Sequence, residues 1–234
     1  QIDFLYQNPM TRMTDLSEES WIILTPEEMA IKEKIERIGT PLKDWDINIY
    51  RGVLTGYNEA FIIDGAKRKE LIEEDPKSAE IIKPLLRGRD IKRYKAEFAD
   101  LWLINTHNGY YDDNGNRIPR IKIEDYPAIK KHLDTHWERI EKRYDQGDTP
   151  YNLRNCAYLN EFEKEKIVWA ETIKEFFDGS RNFPRFTLDS KSHFNDKTVF
   201  MLLGDNLRIK LAILNSKVIE FYLRREVTIL GSGS

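Results

Sequence analysis

The stretch Ile49-Tyr50-Arg51-Gly52-Val53-Leu54-Thr55-Gly56-Tyr57-Asn58-Glu59-Ala60-Phe61-Ile62-Ile63-Asp64 constrains the fold more than any other part of this chain. It reads as strand, tight glycine-bearing turn, strand. Gly52 and Gly56 mark backbone that must bend sharply or approach something closely. Arg51, Thr55 and Asn58 fall near that bend, while Phe61, Ile62 and Ile63 pack the strand that follows. In the plainest case this is a hairpin whose Thr and Asn satisfy turn backbone. It is neither a Walker loop, since no Gly-Lys-Ser/Thr follows, nor a dinucleotide fingerprint.

A length of 234 residues allows one large or two small domains with enough core to fold unstapled. Hydrophobic content of 40%, with five Trp, eleven Tyr and eleven Phe, marks a globular chain. Cys156 is the only cysteine, which excludes a disulfide framework and a Cys-based zinc site, and predicts a reducing, cytoplasmic setting. No apolar run approaches the roughly 20 residues of a membrane span, and the start lacks a signal-peptide pattern, so no membrane partner is expected. Beginning on Gln1 and ending on Gly231-Ser232-Gly233-Ser234, the chain is expected to be a piece of something larger.

Net charge is −3 and the pI about 5.9, which argues mildly against non-specific polyanion binding. The distribution says more than the sum. Lys83, Arg87, Arg89, Lys92, Arg93 and Lys95 cluster around a lone Asp90, while acids gather in Glu70–Asp75 and Glu161–Glu165. A locally basic face is expected.

Residues 1–20 read as a lead-in arm or linker and Trp21–Leu24 as a short strand. Thr25-Pro26-Glu27-Glu28 is a helix start, with Thr as N-cap, Pro at the first helical position and Glu closing a capping box. Helices are expected over 66–74 and 78–86, strands over 91–94 and 101–105, and a helix over 125–144 interrupted near Asp134-Thr135. Residues 145–155 form a polar loop. Strands follow at 166–173, 186–188 and 198–203, then a helix over 207–226 pinched at Asn215-Ser216. The class is α+β: a mixed twisted sheet or partial barrel with interleaved helices and a C-terminal helix pair. The expected division is a lead-in over 1–20, a recognition domain over 21–204 and C-terminal helices over 205–234.

Catalytic signatures are scarce. His132 and His136 stand at i, i+4 on the expected helix, but the His-Glu pair of a zinc protease and an obvious third ligand are missing. Glu171 and Lys174 are spaced one residue too far apart to share a strand face, and read as a surface ion pair. There is no Asn-Pro-Pro-Tyr tetrad and no glycine-rich cofactor loop. A binding repertoire remains. The segment Lys83–Tyr94 offers Lys and Arg to phosphates, and Arg or Asn can fork onto guanine or adenine edges. Arg181-Asn182-Phe183-Pro184-Arg185-Phe186 is a second candidate, its ordinary alternative being Arg185 paired with a carboxylate such as Asp189.

The block Arg51–Asp64, followed by Ile81-Ile82-Lys83-Pro84-Leu85-Leu86-Arg87-Gly88-Arg89-Asp90-Ile91-Lys92-Arg93-Tyr94, resembles the TaqI-like C-terminal specificity domain. Lys166-Ile167-Val168-Trp169, Pro184-Arg185-Phe186 and Leu211–Lys217 extend the resemblance over most of residues 21–226. This family serves adenine-N6 methyltransferases of restriction–modification systems, fused restriction–methylation enzymes and related phage-defence methyltransferases. The resemblance implies a non-catalytic target recognition domain that binds double-stranded DNA. A separate N-terminal methyltransferase domain would carry S-adenosylmethionine; no cofactor or metal is expected in this fragment. The expected DNA-binding set is Arg51, Thr55, Asn58, Lys83, Arg87, Arg89, Lys92, Arg93, Tyr151, Arg154, Arg181 and Arg185. Of these, Arg51, Thr55 and Asn58 are expected to brace the fold or touch the DNA backbone rather than choose among bases. The competing expectations are a protein-interaction or scaffold domain that keeps the fold without DNA contact, and a metal-assisted hydrolase using Glu171.

Overall fold

The computed structural model describes residues 24–172, 174–175, 183–226 and 230–231. The expected arm, most of the strand expected at Trp21–Leu24, and Arg181 lie outside them. The chain clusters into two compact units, one built on residues up to Asp46 plus Phe221–Thr228, the other on Ile47–Glu220 plus Ile229–Ser234.

In the first unit, helix α1 (Pro26–Ile38) begins at the expected capping box. Thr25 N donates to Glu28 Oε2 at 3.0 Å and Glu28 N donates to Thr25 Oγ1 at 3.2 Å, which satisfies two otherwise orphaned donors. No residue of α1 is buried. Its partners in this unit are polar: Lys32 pairs with Glu226 at 3.0 Å, Arg225 with Glu28, and Tyr222 donates to Glu36 at 3.2 Å.

The second unit carries strands β1 (Ile47–Arg51), β2 (Ile62–Asp64), β3 (Ile82–Leu86), β4 (Leu101–Ile104), β5 (Lys166–Ala170), β6 (Thr187–Asp189), β7 (Phe194–Asn195) and β8 (Val199–Gly204). Between them run helices α2 (Asn58–Phe61), α3 (Gly65–Glu74), α4 (Pro127–Asp134), α5 (Trp137–Ile140) and α6 (Leu207–Leu214), with α7 (Lys217–Glu226) beginning here. One sheet has the order β1-β8-β5-β6 and is antiparallel throughout. The other has the order β7-β3-β4-β2, with β7 parallel to β3 and the rest antiparallel. The fold is α+β, with two separate four-stranded sheets where one sheet or a partial barrel was expected.

Strand alternation explains how the first sheet buries both faces. Val168 of β5 lies opposite Met201 of β8, and both enter the main core with Phe61, Leu85, Leu103, Ile129 and Phe162. Their neighbours Ile167 and Leu202, also paired, point to the other face and pack with Leu207 and Leu214 of α6. An apolar run such as Lys-Ile-Val-Trp-Ala is what a strand covered on both faces requires.

Two expected elements are corrected. The opening stretch is not a hairpin: β1 pairs with β8 (Tyr50↔Met201), whereas β2 pairs with β4 in the other sheet (Ile63↔Trp102). Residues 52–57 carry the chain from one sheet to the other. The helix expected over 78–86 is a 3-10 turn over Pro76–Glu80 followed by β3. Paired apolar doublets around Pro84 suit a doubly covered strand, and proline disfavours the interior of a helix.

Candidate nucleic-acid interface

The crossing between sheets explains the glycine of the opening stretch. Gly52 N donates to Val199 O at 2.9 Å and Val53 N to Asn195 O at 2.7 Å. A Cβ on Gly52 would stand 1.9 Å from the Asp196 carbonyl oxygen, so only glycine lets the two backbones approach this closely. Four residues on, Gly56 adopts φ +69°, the left-handed region that glycine enters without strain.

The polar residues of the stretch make internal bonds. Arg51 donates through Nε to Lys197 O at 2.9 Å and through Nη2 to Glu171 Oε1 at 2.6 Å. Glu171 is thus engaged by Arg51. Buried Thr55 donates its hydroxyl to Asn58 Oδ1 at 2.6 Å, across the start of α2. The carbonyl of Thr55 accepts from the guanidinium of Arg143, which is itself buried and also reaches the carbonyls of Asp145, Pro150 and Asn152. Burial lowers the Arg143 pKa to about 10, opposed by the nearby Asp145 charge, so it remains a cation at neutral pH. Five donors in a fixed fork suit a carbonyl cage of this kind.

In the segment 83–95 most cations already have partners. Lys83 pairs with Glu163 at 3.0 Å, Lys92 lies 3.9 Å from Glu97, and Lys95 lies 3.3 Å from the same carboxylate. Arg87 forks onto Asp90, with Nε–Oδ2 and Nη2–Oδ1 both at 3.0 Å, and the Asp90 carboxylate also accepts from Arg87 N. Arg93 donates to the Asn215 carbonyl, tying the segment to the end of α6. Arg89 is exposed; its carbonyl accepts from Lys92 Nζ at 2.9 Å, but its side chain makes no hydrogen bond or ion pair with the other described residues. Arg87 and Arg93 thus brace the fold, while Arg89, Lys92 and Lys95 stand at the surface, the two lysines 42% and 71% exposed in ion pairs with Glu97.

The remaining candidates are spread out. Tyr151 donates its hydroxyl to Asp134 at 2.6 Å, and its ring lies 5.3 Å from that of Trp137. Arg154 is exposed and pairs with Asp145 at 3.1 Å. Arg185 is half-buried, and burial lowers its pKa. Asp189, its suggested partner, is claimed by Lys166 Nζ at 2.8 Å and His193 Nδ1 at 2.7 Å.

Arg51 and Arg154 do meet, at one cleft of about 360 Å³. Its walls are the crossing backbone of Gly52–Leu54, Asn105 and His107–Gly109 from the segment after β4, and the loop from Leu153 to Leu159. Tyr158, stacked on Tyr50 with ring centroids 4.3 Å apart, donates its hydroxyl to Arg51 O at 3.1 Å. His107 accepts from Gly109 N at 3.2 Å through Nδ1, which leaves the proton on Nε2. Burial, with help from the Lys83 charge, lowers its pKa to about 4 and keeps the ring neutral. Burial likewise pushes the Cys156 thiol up to about 11, so it is a poor nucleophile.

Asn105 and His107 escaped sequence reasoning. Asn105 reads as the end of the strand expected over 101–105, and the only other signal nearby is Asn108-Gly109, which marks a loop. The two helical histidines are also resolved: α4 ends before His136, and His132 Nε2 bonds Ala60 O at 3.0 Å. Among the described residues no group of three or more His, Cys, Asp or Glu is placed to hold a metal. Among the same residues, no helix is long and apolar enough to cross a membrane.

A search of curated proteins finds no match. Among solved structures, the fold is similar to that of the Type IIL restriction-modification enzyme MmeI, solved in complex with DNA, with a TM-score of 0.58 at 12% identity. The similarity covers 82% of this chain and 23% of that one. The family model for the TaqI-like C-terminal specificity domain matches residues 83–230, well over half of the sequence. The chain belongs to the TaqI-like C-terminal specificity domain family.

Proposed function

We propose that this chain is the DNA-reading part of a restriction–modification enzyme, holding a duplex and selecting a short sequence in it. The family match over residues 83–230 carries this reading. The fold shared with MmeI, whose structure was solved in complex with DNA, supports it. So does the chemistry of the cleft, where arginines and side-chain amides gather, the two groups best suited to phosphate and base edges. Residues 21–204 would form the recognition domain and 205–234 the helices leading toward a spacer. The domain itself would be non-catalytic. An N-terminal domain of the same parent chain would bind S-adenosylmethionine and methylate adenine N6, with or without cleavage, in defence against phage.

A second reading, as a protein-interaction domain, draws on exposed Ile209 and Ile213 of α6 and Val218 of α7. The two readings separate experimentally. Selection of bound duplexes from a randomised library should enrich one short motif, and sequencing of methylated bases in cells with and without the parent gene should return the same motif. A library that stays unenriched by the purified parent protein would sink the DNA reading and leave the interaction reading standing.

A further inference from the structure

We propose that the cleft beside Gly52 is a seat for one phosphate group, from a DNA backbone or from free phosphate, with His107, Arg154 and Asn155 as its donors. The chain carries 40 acidic residues, yet none of them lines this cleft, while Arg51 and Arg154 both do. The side-chain groups left open there are donors. His107 Nδ1 is taken by Gly109 N, and its Nε2–H has no partner among the described residues and is not sealed from solvent. Asn155 is exposed, and its Oδ1 already accepts from Asn108 Nδ2 at 2.6 Å, so its own Nδ2 is what remains to offer. Asn108 is spent, with Nδ2 shared between Asp148 and Asn155 and Oδ1 accepting from Asp148 N.

The arginines are only partly committed. Arg51 gives Nε to Lys197 O and Nη2 to Glu171, and Arg154 gives Nη1 to Asp145. Both carboxylates lie outside the cleft lining, and the two arginine side chains stay 43% and 57% exposed. Nη1 of Arg51 and Nε and Nη2 of Arg154 are left without a partner among the described residues. A site whose open groups only donate is complemented by a group that only accepts, and phosphate oxygens are acceptors alone. The major-groove edge of guanine is acceptor-only too, but it lies on the floor of a groove that a recess cannot reach. A backbone phosphate stands on a ridge, which a recess can receive. The volume of about 360 Å³ takes a phosphate with its sugar, whose apolar face can lie on Val53, Leu54 and the Tyr158 ring. The duplex source rests on the DNA-reading function proposed above; the free-phosphate source does not.

The test has one arm for each source, both on the 234-residue chain. In the first, the imidazole nitrogen resonances of His107 are followed by NMR as inorganic phosphate is added. In the second, duplexes carrying the motif selected from the library and one neutral methylphosphonate, moved along the backbone position by position, are ranked by affinity. A saturable His107 shift whose affinity falls at least about tenfold in Arg154→Met identifies free phosphate. One backbone position where the methylphosphonate costs the native chain about tenfold, and costs Arg154→Met nothing, identifies the DNA backbone. Either result supports the proposal. His107→Phe, which keeps a ring and removes Nε2–H, should reproduce the loss in the duplex arm, and Asn155→Ala serves there if His107→Phe fails to fold. No phosphate shift and no such backbone position overturn the proposal, as do responses that the folded variants leave unchanged. Duplex binding with its motif preserved in that case leaves the DNA-reading function standing. Phosphate binding by a chain that selects no motif leaves the seat standing without that function.

Discussion

Gly52 is the residue on which the two sheets meet, and its substitution has the clearest outcome. A methyl group 1.9 Å from the Asp196 carbonyl cannot be accommodated by rotating a side chain, because the obstacle is backbone. Gly52→Ala should lose about 3 kcal/mol or more in urea denaturation, among the larger single-residue effects. Lys166 makes a second case. It is fully buried, and Nζ donates to Phe162 O at 2.6 Å, Lys164 O at 3.3 Å and Asp189 Oδ2 at 2.8 Å. Burial pulls its pKa down and Asp189 only partly restores it, yet three acceptors around Nζ favour the ammonium. For Asp189, burial pushes the pKa up, but hydrogen bonds from His193 and Lys166 and the Lys166 charge win and hold it at about 2, below the ordinary 3.8. Its contribution to stability is therefore complete above about pH 4 and lost as pH falls toward 2. Denaturation curves across that window should fall more steeply for the native chain than for Asp189→Asn. Lys166→Met, which leaves the carboxylate buried beside His193 alone, should cost about 3 kcal/mol at neutral pH.

The loop after α5 has no regular structure, and Arg143 organises it. One guanidinium ties Asp145, Pro150 and Asn152 of the loop to Thr55 of the inter-sheet crossing, with Phe61 4.4 Å beneath it. Arg143→Met keeps the stem and removes the donors, so amides of Gly147, Asn152 and Leu153, bonded to Asn152 O, Thr149 O and Thr106 O, should lose hydrogen-exchange protection. Protection unchanged there would show that the loop holds itself. None of this was legible from the sequence, where 145–155 is simply polar. Local signals served well elsewhere: the capping box at Thr25–Glu28 and the pinch at Asn215-Ser216 fall where helices begin and break. Non-local pairing was out of reach. The strand–turn–strand pattern of 49–64 was correct in its pieces, since both flanks are strands, but adjacency along the chain does not say that β1 pairs with β8 and β2 with β4. For the same reason two partners of the basic run 83–95 were out of reach, because Glu163, which pairs with Lys83, and the Asn215 carbonyl, which accepts from Arg93, lie far along the chain.

At the scale of the whole molecule, a chain with net charge −3 reaches a polyanion only through local geometry, not through its overall field. That makes the separate roles of neighbouring arginines measurable. Arg89 is exposed and its side chain makes no hydrogen bond or ion pair with other described residues, so replacing it should leave folding alone. If it holds a phosphate, Arg89→Ala should weaken duplex binding uniformly across sequences and reduce the slope of log affinity against log salt by about 1. Arg87, two residues earlier, is spent on Asp90, which is only 6% exposed. Arg87→Ala should therefore act first on stability, by leaving that carboxylate without its cation, and should lower the denaturation midpoint while the salt slope of the folded fraction stays unchanged. Measuring both variants in the parent protein by fluorescence anisotropy at several salt concentrations, alongside urea curves, separates contact from scaffold. The opposite pattern, with Arg87→Ala altering the salt slope and Arg89→Ala altering nothing, would mean that the Arg87–Asp90 pair opens to meet DNA and that the exposed arginine is a bystander.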